Sequence, residues 1–347
     1  MDVDQWANPN LTYEKKHELN LGLSLGFLNN RINVEFDWYT RDNHALVGPR
    51  ITDGTIDGGI TKYENVSSMS SYGEELSISS KNIVTEKFKW STDFIFSHSK
   101  TKVKNFHSQA RIVDLVTGSG FTMEGYPYRA LFSIDFQGLN NKGLPTFINE
   151  KGQLTVSDHY FQSTIIDYLK YEGPTDPTIN GSLGNTFTYK NLTLNVFMTY
   201  AFGNVVRLDP SFRSSYSDLS AMPKEFKNRW VTSGDEAYTN IPVIPDLRLL
   251  QQDSYIHYAF NAYNRSTVRT AKGDFIRMKE ISLNYDFPKP WVKALGLSSL
   301  AAKIQATNLF LIYSDKKLNG QDPEFFNSGG VAVPMARQFT FTLRLGI

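Results

Sequence analysis

The sequence predicts an all-β protein: an antiparallel transmembrane β-barrel segment with long extracellular loops, forming an incomplete barrel. Three observations predict it. Apolar and polar residues alternate with a period of two over runs of about 9–13 residues, the length a tilted strand needs to cross a bilayer. The connections between these runs alternate between short and long. Aromatic residues reach 14% of the chain, yet no apolar run approaches the roughly 18 residues of a membrane helix.

The first run, ELNLGLSLGF, places Leu19, Leu21, Leu23, Leu25 and Phe27 on one face, with Asn20, Gly22, Ser24 and Gly26 on the other. RINVEFDWY sets Ile32, Val34, Phe36 and Trp38 against Asn33, Glu35 and Asp37. YGEELSISS is weaker, with Leu76 and Ile78 on its better face. FKWSTDFIF carries Phe88, Trp90, Thr92, Phe94 and Phe96 on one side. LGNTFTY has Asn185 among Leu183, Phe187 and Tyr189. LTLNVFMTYAF aligns Leu192, Leu194, Val196, Met198, Tyr200 and Phe202. KEISLNYDF aligns Ile281, Leu283, Tyr285 and Phe287. LAAKIQATNLFLI has Asn308 among Leu300, Ile304, Phe310 and Ile312. The chain closes on RQFTFTLRLGI, where Phe339, Phe341, Leu343, Leu345 and Ile347 share a face to the last residue. The expected strands are therefore 18–28, 31–41, 72–81, 87–98, 178–190, 191–204, 273–287, 300–312 and 337–347.

The connections orient these strands. Asn29–Asn30, Asn82–Lys87, Lys190–Asn191 and Pro288–Ser299 are short; 42–71, 99–177, 205–272 and 313–336 are long. Tight turns on one side and long loops on the other are the signature of an outer-membrane barrel, with the short turns in the periplasm. YPYRALFSIDF (126–136) also looks strand-like, but one more crossing would reverse the parity of every strand before it. It belongs within the 99–177 excursion.

The faces fit a bilayer. A Lys or Arg at mid-bilayer costs roughly 2–4 kcal/mol, and the apolar faces carry none at their centres. Lys279 shares parity with Ile281 and is expected near the outer end, where its amine can snorkel. Trp38, Tyr200, Phe202, Phe287, Trp291, Phe310 and Tyr313 cluster at strand ends, as an interfacial girdle would. A soluble β-sandwich also alternates, but its apolar faces meet a second protein layer. Such a protein, a carbohydrate-binding module or glycosidase, is the alternative.

Composition narrows the chemistry. Basic and acidic residues number 36 and 35, which gives nucleic acid no electrostatic foothold. There is no cysteine, and the six histidines show no metal-binding spacing. Neither GxxxxGK[ST] nor GxGxxG occurs. Asp235–Glu236 and Asp322–Glu324 are the tempting acidic pairs. Neighbouring acids usually point apart and Gly-Asp is turn chemistry, so loop capping is preferred over catalysis or calcium binding. No catalytic residue, metal or cofactor is assigned.

Nine strands is an odd number, whereas bacterial single-chain barrels have an even number, and MDVDQWANPN lacks a signal peptide. The expectation is that residues 1–347 are the C-terminal part of a larger barrel.

Several stretches resemble one family in order and spacing. NPNLTYEKKHELNLGLSLGFLNNRINVEFDWYTRDNHALV (8–47) resembles the entry into the C-terminal barrel half of SusC/RagA-type TonB-dependent receptors, with Tyr13 where Trp is commoner. GYPYRALFSIDFQGLNNKGLP (125–145), DYLKYEGPTDPTINGSLGNTFTYKNLTLNVFMTYAFG (167–203) and RWVTSGDEAYTNIP (229–242) resemble its loop and hairpin segments. GDFIRMKEISLNYDFPKPWVKALGLSSLAAKIQATNLFLI (273–312) and GQDPE (320–324) resemble its closing part. The resemblance implies an outer-membrane importer of oligosaccharides or peptides, capped by a SusD-like surface lipoprotein, driven by TonB and surrounded by outer-membrane lipid. It places the plug, the TonB box and the first barrel strands outside this sequence. Its loops are rich in tyrosine: YPY (126–128), DYLKY (167–171) and SYIHYAFNAYN (254–264). Aromatic planes stack on sugars and peptide side chains. Tyr126, Tyr128, Trp230, Tyr255 and Tyr258 are the expected solute contacts.

Overall fold

In the computed structural model the described residues are 8–51, 61–106, 110–212, 224–246, 248, 251, 255–325 and 336–347. The tip of the 42–71 excursion, Ser254, and 326–335 of the last excursion lie outside them. The chain begins with β1 (Lys15–Phe27), β2 (Ile32–Ile51), β3 (Thr61–Val84) and β4 (Phe88–Phe106). It then leaves the wall through α1 (Ile112–Val116), β5 (Ala130–Ser133), β6 (Phe136–Leu139), β7 (Pro145–Ile148), β8 (Leu154–Thr155) and β9 (Lys170–Pro174). It returns as β10 (Ile179–Tyr189) and β11 (Leu192–Phe202), then departs through β12 (Val205–Arg207), α2 (Ile256–Asn264) and β13 (Thr270–Lys272). β14 (Phe275–Asp286), α3 (Lys289–Ala294), β15 (Ser299–Ser314) and β16 (Gln338–Gly346) complete it.

All nine expected strands pair antiparallel in one sheet, in the order β1-β2-β3-β4-β10-β11-β14-β15-β16. The sheet is open, with β1 and β16 at its edges, so the barrel is incomplete. The 126–136 stretch stays inside its excursion: β5 pairs with β9, and β6 with β7.

The register gathers the apolar faces into a band. Trp90, Phe187, Leu194, Leu283, Ile304 and Phe341 lie side by side across six strands. The neighbouring rows hold Thr186, Asn195, Ser282, Gln305 and Thr340 on the opposite face. Apolar side chains inside the sheet stay open: Ile304 is 58% exposed and Leu283 39%. Among the described residues no second protein layer covers them, as the sandwich alternative would require. The band also gives the tilt. One row of partners runs from Phe27, the inner end of the band on β1, to Phe339, its outer end on β16. That is a shift of about eight residues over eight strand steps; at ~3.4 Å per residue and ~4.8 Å per strand it means a tilt of about 35°, within the barrel range.

The structure corrects three expectations. Most of 42–71 is hairpin rather than loop, because β2, β3 and β4 run to 20, 24 and 19 residues. Apolar alternation marks only the part of a strand that meets lipid; ladder hydrogen bonds continue for as long as a partner strand does. The first turn spans 28–31 rather than two residues, with Leu28, Asn29 and Asn30 all in the left-handed region at φ 52°, 56° and 59°. Lys279 does not share the face of Ile281. Phe197 pairs with Glu280 and Met198 with Met278, so Lys279 is an extra, bulged residue and strict parity breaks there.

Asn185, the polar interruption in the apolar face, is satisfied locally. Its Oδ1 accepts from Trp90 Nε1 at 2.9 Å and Thr92 Oγ1 at 2.7 Å. Asn82 Nδ2 donates to Thr92 Oγ1 at 2.7 Å. Polar side chains that bond one another can sit in a lipid-facing surface at much lower cost than lone ones.

Candidate functional site at the outer mouth

The two long excursions fold together beyond the outer ends of the strands, as a cap with its own core. Ile112, Leu115, Phe132, Phe147, Phe260 and Tyr263 are buried in it. Elements this short cannot hold themselves together by ladder bonds, and a buried cation joins them. Arg207 on β12 donates through Nη1 to the Ser266 carbonyl at 2.8 Å. Its Nη2 donates to the Phe132 carbonyl at 2.7 Å and to Ser133 Oγ at 2.9 Å. Burial pushes its pKa down to about 9, against the opposing pull of Glu172. One guanidinium thus ties β5 and β12 to the turn after α2.

A second clasp lies below the cap. The chain leaving β15 folds back so that Asp322 accepts a hydrogen bond from Arg277 of β14, both side chains being buried. Glu324 lies 3.0 Å from Arg277 Nε, and Asp322 also accepts from the Glu324 amide at 3.1 Å. The acidic triplet therefore caps a loop around an arginine. Asp235 and Glu236 are likewise turn residues. Asp235 Oδ2 accepts from the Val231 and Thr232 amides at 2.9 and 3.0 Å, and these hold its carboxyl below the usual range. Glu236 accepts from the Trp230 indole at 2.9 Å, the main reason its pKa is lowered.

The five expected contact residues fall into separate settings. Tyr126 is half-buried, its ring 4.9 Å from Phe132 and 5.0 Å from Tyr171. Tyr128 is exposed and lines a cavity of about 360 Å³ with Tyr171, His98 and Lys100. Tyr255 and Tyr258 stack at 6.1 Å at the start of α2, with His257 4.1 Å from Tyr258. Trp230 packs over Gly143, whose φ is 72°; a Cβ there would sit 2.4 Å from the indole. Its indole N–H is occupied by Glu236, so its geometry is that of a lock on the turn before β7.

A larger cavity, about 690 Å³, lies on the lumenal side where β10, β11 and β14 meet the cap. Asn180, Ser182, Thr199 and Lys279 line it, with the Arg129–Asp176 ion pair at 2.8 Å on its rim. Sequence reasoning overlooked this cavity. Its one signal, the parity of Asn180, Ser182 and Thr199, is shared by the whole lumenal face, and the bulge hid Lys279.

Comparison with known proteins accords with this architecture. No protein-family model matches the chain. TonB-dependent receptor SusC of Bacteroides thetaiotaomicron is 28% identical over 98% of the chain and 32% of the receptor. TonB-dependent receptor P3 of Formosa agariphila is 24% identical over 93% of the chain and 32% of its own length. The chain is SusC/RagA-like. It spans about a third of the length of the curated relatives it matches. The solved RagAB peptide transporter superposes with a TM-score of 0.74 at 21% identity, over 98% of this chain and 36% of that one. The RagAB peptide importer in its open-open state gives 0.75 at 20% identity. The SusC/RagA-like sheet is thus a wall of an outer-membrane barrel, and its relatives are receptors and transporters rather than enzymes.

Proposed function

We propose that residues 1–347 are the C-terminal part of the barrel of a TonB-dependent outer-membrane importer for oligosaccharides or peptides. One observation carries the reading. A tilted antiparallel wall, apolar outside and polar inside, bears a folded cap at one end and tight turns at the other. The chain supplies lipid-facing wall, lumenal surface and cap. By likeness to SusC, a SusD-like lipoprotein would close the cap from outside, and TonB would act from the periplasm on a plug. Tyr126, Tyr128, Tyr255 and Tyr258 are offered as solute contacts, with Tyr128 the best placed because it is exposed beside a cavity.

The test uses cells that carry the receptor containing this chain. Deleting that receptor should abolish growth on at least one oligosaccharide or peptide mixture. Tyr128→Ala should slow uptake with unchanged surface abundance, whereas Trp230→Ala should lower abundance first. Unchanged growth of the deletion strain on every such nutrient would refute the importer reading.

A further inference from the structure

The bulge in β14 changes what the lumen offers. Across the ladder to β11, Phe197 and Met198 meet Glu280 and Met278, and Lys279 is left over. On the other side, β15 skips between Thr307 and Phe310, where Asn308 takes φ 53°. A bulge gives up regular pairing and re-aims a side chain. Here the re-aimed side chain is a cation, and it lines the 690 Å³ lumenal cavity.

The carboxylates around that cavity are committed elsewhere. Glu280 accepts from Gln305 at 2.9 Å and lies 3.7 Å from Lys303. Glu324 is held by Arg277 and Asp176 by Arg129. Among the described residues, no acid is paired with Lys279. Ser182 and Thr199 face each other across β10 and β11, their hydroxyls unbonded among the described residues, and Asn180 lies one lumenal position outward on β10. A free ammonium beside two hydroxyls and the Asn180 amide N–H is a donor set for a carboxylate, because charge-assisted bonds to an anion are the strongest that set can make.

We propose that this cavity is a subsite for a carboxylate on the transported solute, with Lys279 as its counter-ion and Ser182 and Thr199 as donors. The proposal rests on the importer reading and narrows it to acidic solutes. Uronic-acid oligosaccharides and peptides both supply the group.

Calorimetric titration of the receptor carrying this chain, in lipid nanodiscs, tests it with trigalacturonate, triglutamate and neutral maltotriose. At least one acidic probe should bind, and added salt should weaken it. Lys279→Met should weaken that probe about tenfold or more, the scale of a lost charged hydrogen bond. Lys279→Arg should retain most of the affinity, and any maltotriose binding should be untouched by either change. Whichever acidic probe responds identifies the source of the carboxylate. Binding of neither acidic probe, or an affinity that Lys279→Met leaves unchanged, overturns the subsite. Nutrient growth of the receptor-deletion strain decides the importer reading separately, so the two failures are distinguishable.

Discussion

Leu194 and Asn195 are neighbours on β11, and the structure assigns them opposite solvents. Leu194 lies between Phe187 and Leu283 in the apolar row, near the middle of the band. Asn195 lies between Thr186 and Ser282 and accepts from Thr186 Oγ1 at 3.2 Å. Placing an arginine at each position puts the same charge on the same strand about one residue apart. Leu194→Arg sets a guanidinium in hydrocarbon at a cost of about 2–4 kcal/mol, roughly thirty to several hundredfold in the folding equilibrium. Asn195→Arg loses one hydrogen bond and stays in water, a cost of about 1 kcal/mol. The assay is urea unfolding of the receptor carrying this chain in lipid vesicles, followed by tryptophan fluorescence. Leu194→Arg should lower stability by at least about 1 kcal/mol more than Asn195→Arg. Equal losses, or the reverse order, would mean that the apolar band does not face lipid.

Three further outcomes follow from buried charges. Arg277→Met strands Asp322 and Glu324, so it should cost about 3–5 kcal/mol and open 315–325 to limited proteolysis, while adding Asp322→Asn should recover part of the loss. Arg207→Met removes three hydrogen bonds, so hydrogen exchange should quicken in β5 and around Ser266 while the wall strands keep their protection. His159 is buried with both ring nitrogens unpartnered, and burial pushes its pKa down to about 4 despite Asp158 beside it. The unfolded chain therefore binds its proton more readily, so its contribution to cap stability is full above about pH 6.5 and declines towards pH 4, by about 3 kcal/mol at most. Thermal melts of the cap should show that slope in the parent and lose it in His159→Phe.

The wall was legible in the sequence because each of its strands solves the same two-solvent problem. Leu19 to Phe27 and Phe339 to Ile347 declare their faces without reference to any neighbour, and the short turns fix how they pair. The cap was not legible, because nothing in it repeats. Its strands have two to five residues, and the groups that complete them are distant in the chain. Arg207 finds its acceptors at Phe132, Ser133 and Ser266, a grouping that no local period encodes. Trp230 shows the same limit. Its aromatic character suggests a solute contact, but its packing over the turn at Gly143, far away in the chain, is something no local pattern encodes.

Lys279 is where the rule that exposed the wall conceals its chemistry. A one-residue slip exchanges the faces of a strand, so a strand committed on both sides cannot gain a lumenal group by shifting. On β14 the lipid side needs Ile281 and Met278, which pair with Val196 and Met198 of the apolar band. The lumenal side needs Glu280 for Lys303 and Arg277 for Asp322. Replacing either lumenal residue by lysine would break an ion pair and place like charges together. Inserting one residue between Met278 and Glu280 adds the cation and leaves all four commitments in place. The local loss is a stretch of ladder, shared with the irregular turn of β15 at Asn308. Deleting Lys279 should therefore restore regular pairing to β11 and keep the barrel folded while removing the affinity for acidic probes. A deletion that unfolded the wall would show instead that the bulge is needed for closure of the sheet rather than for a ligand.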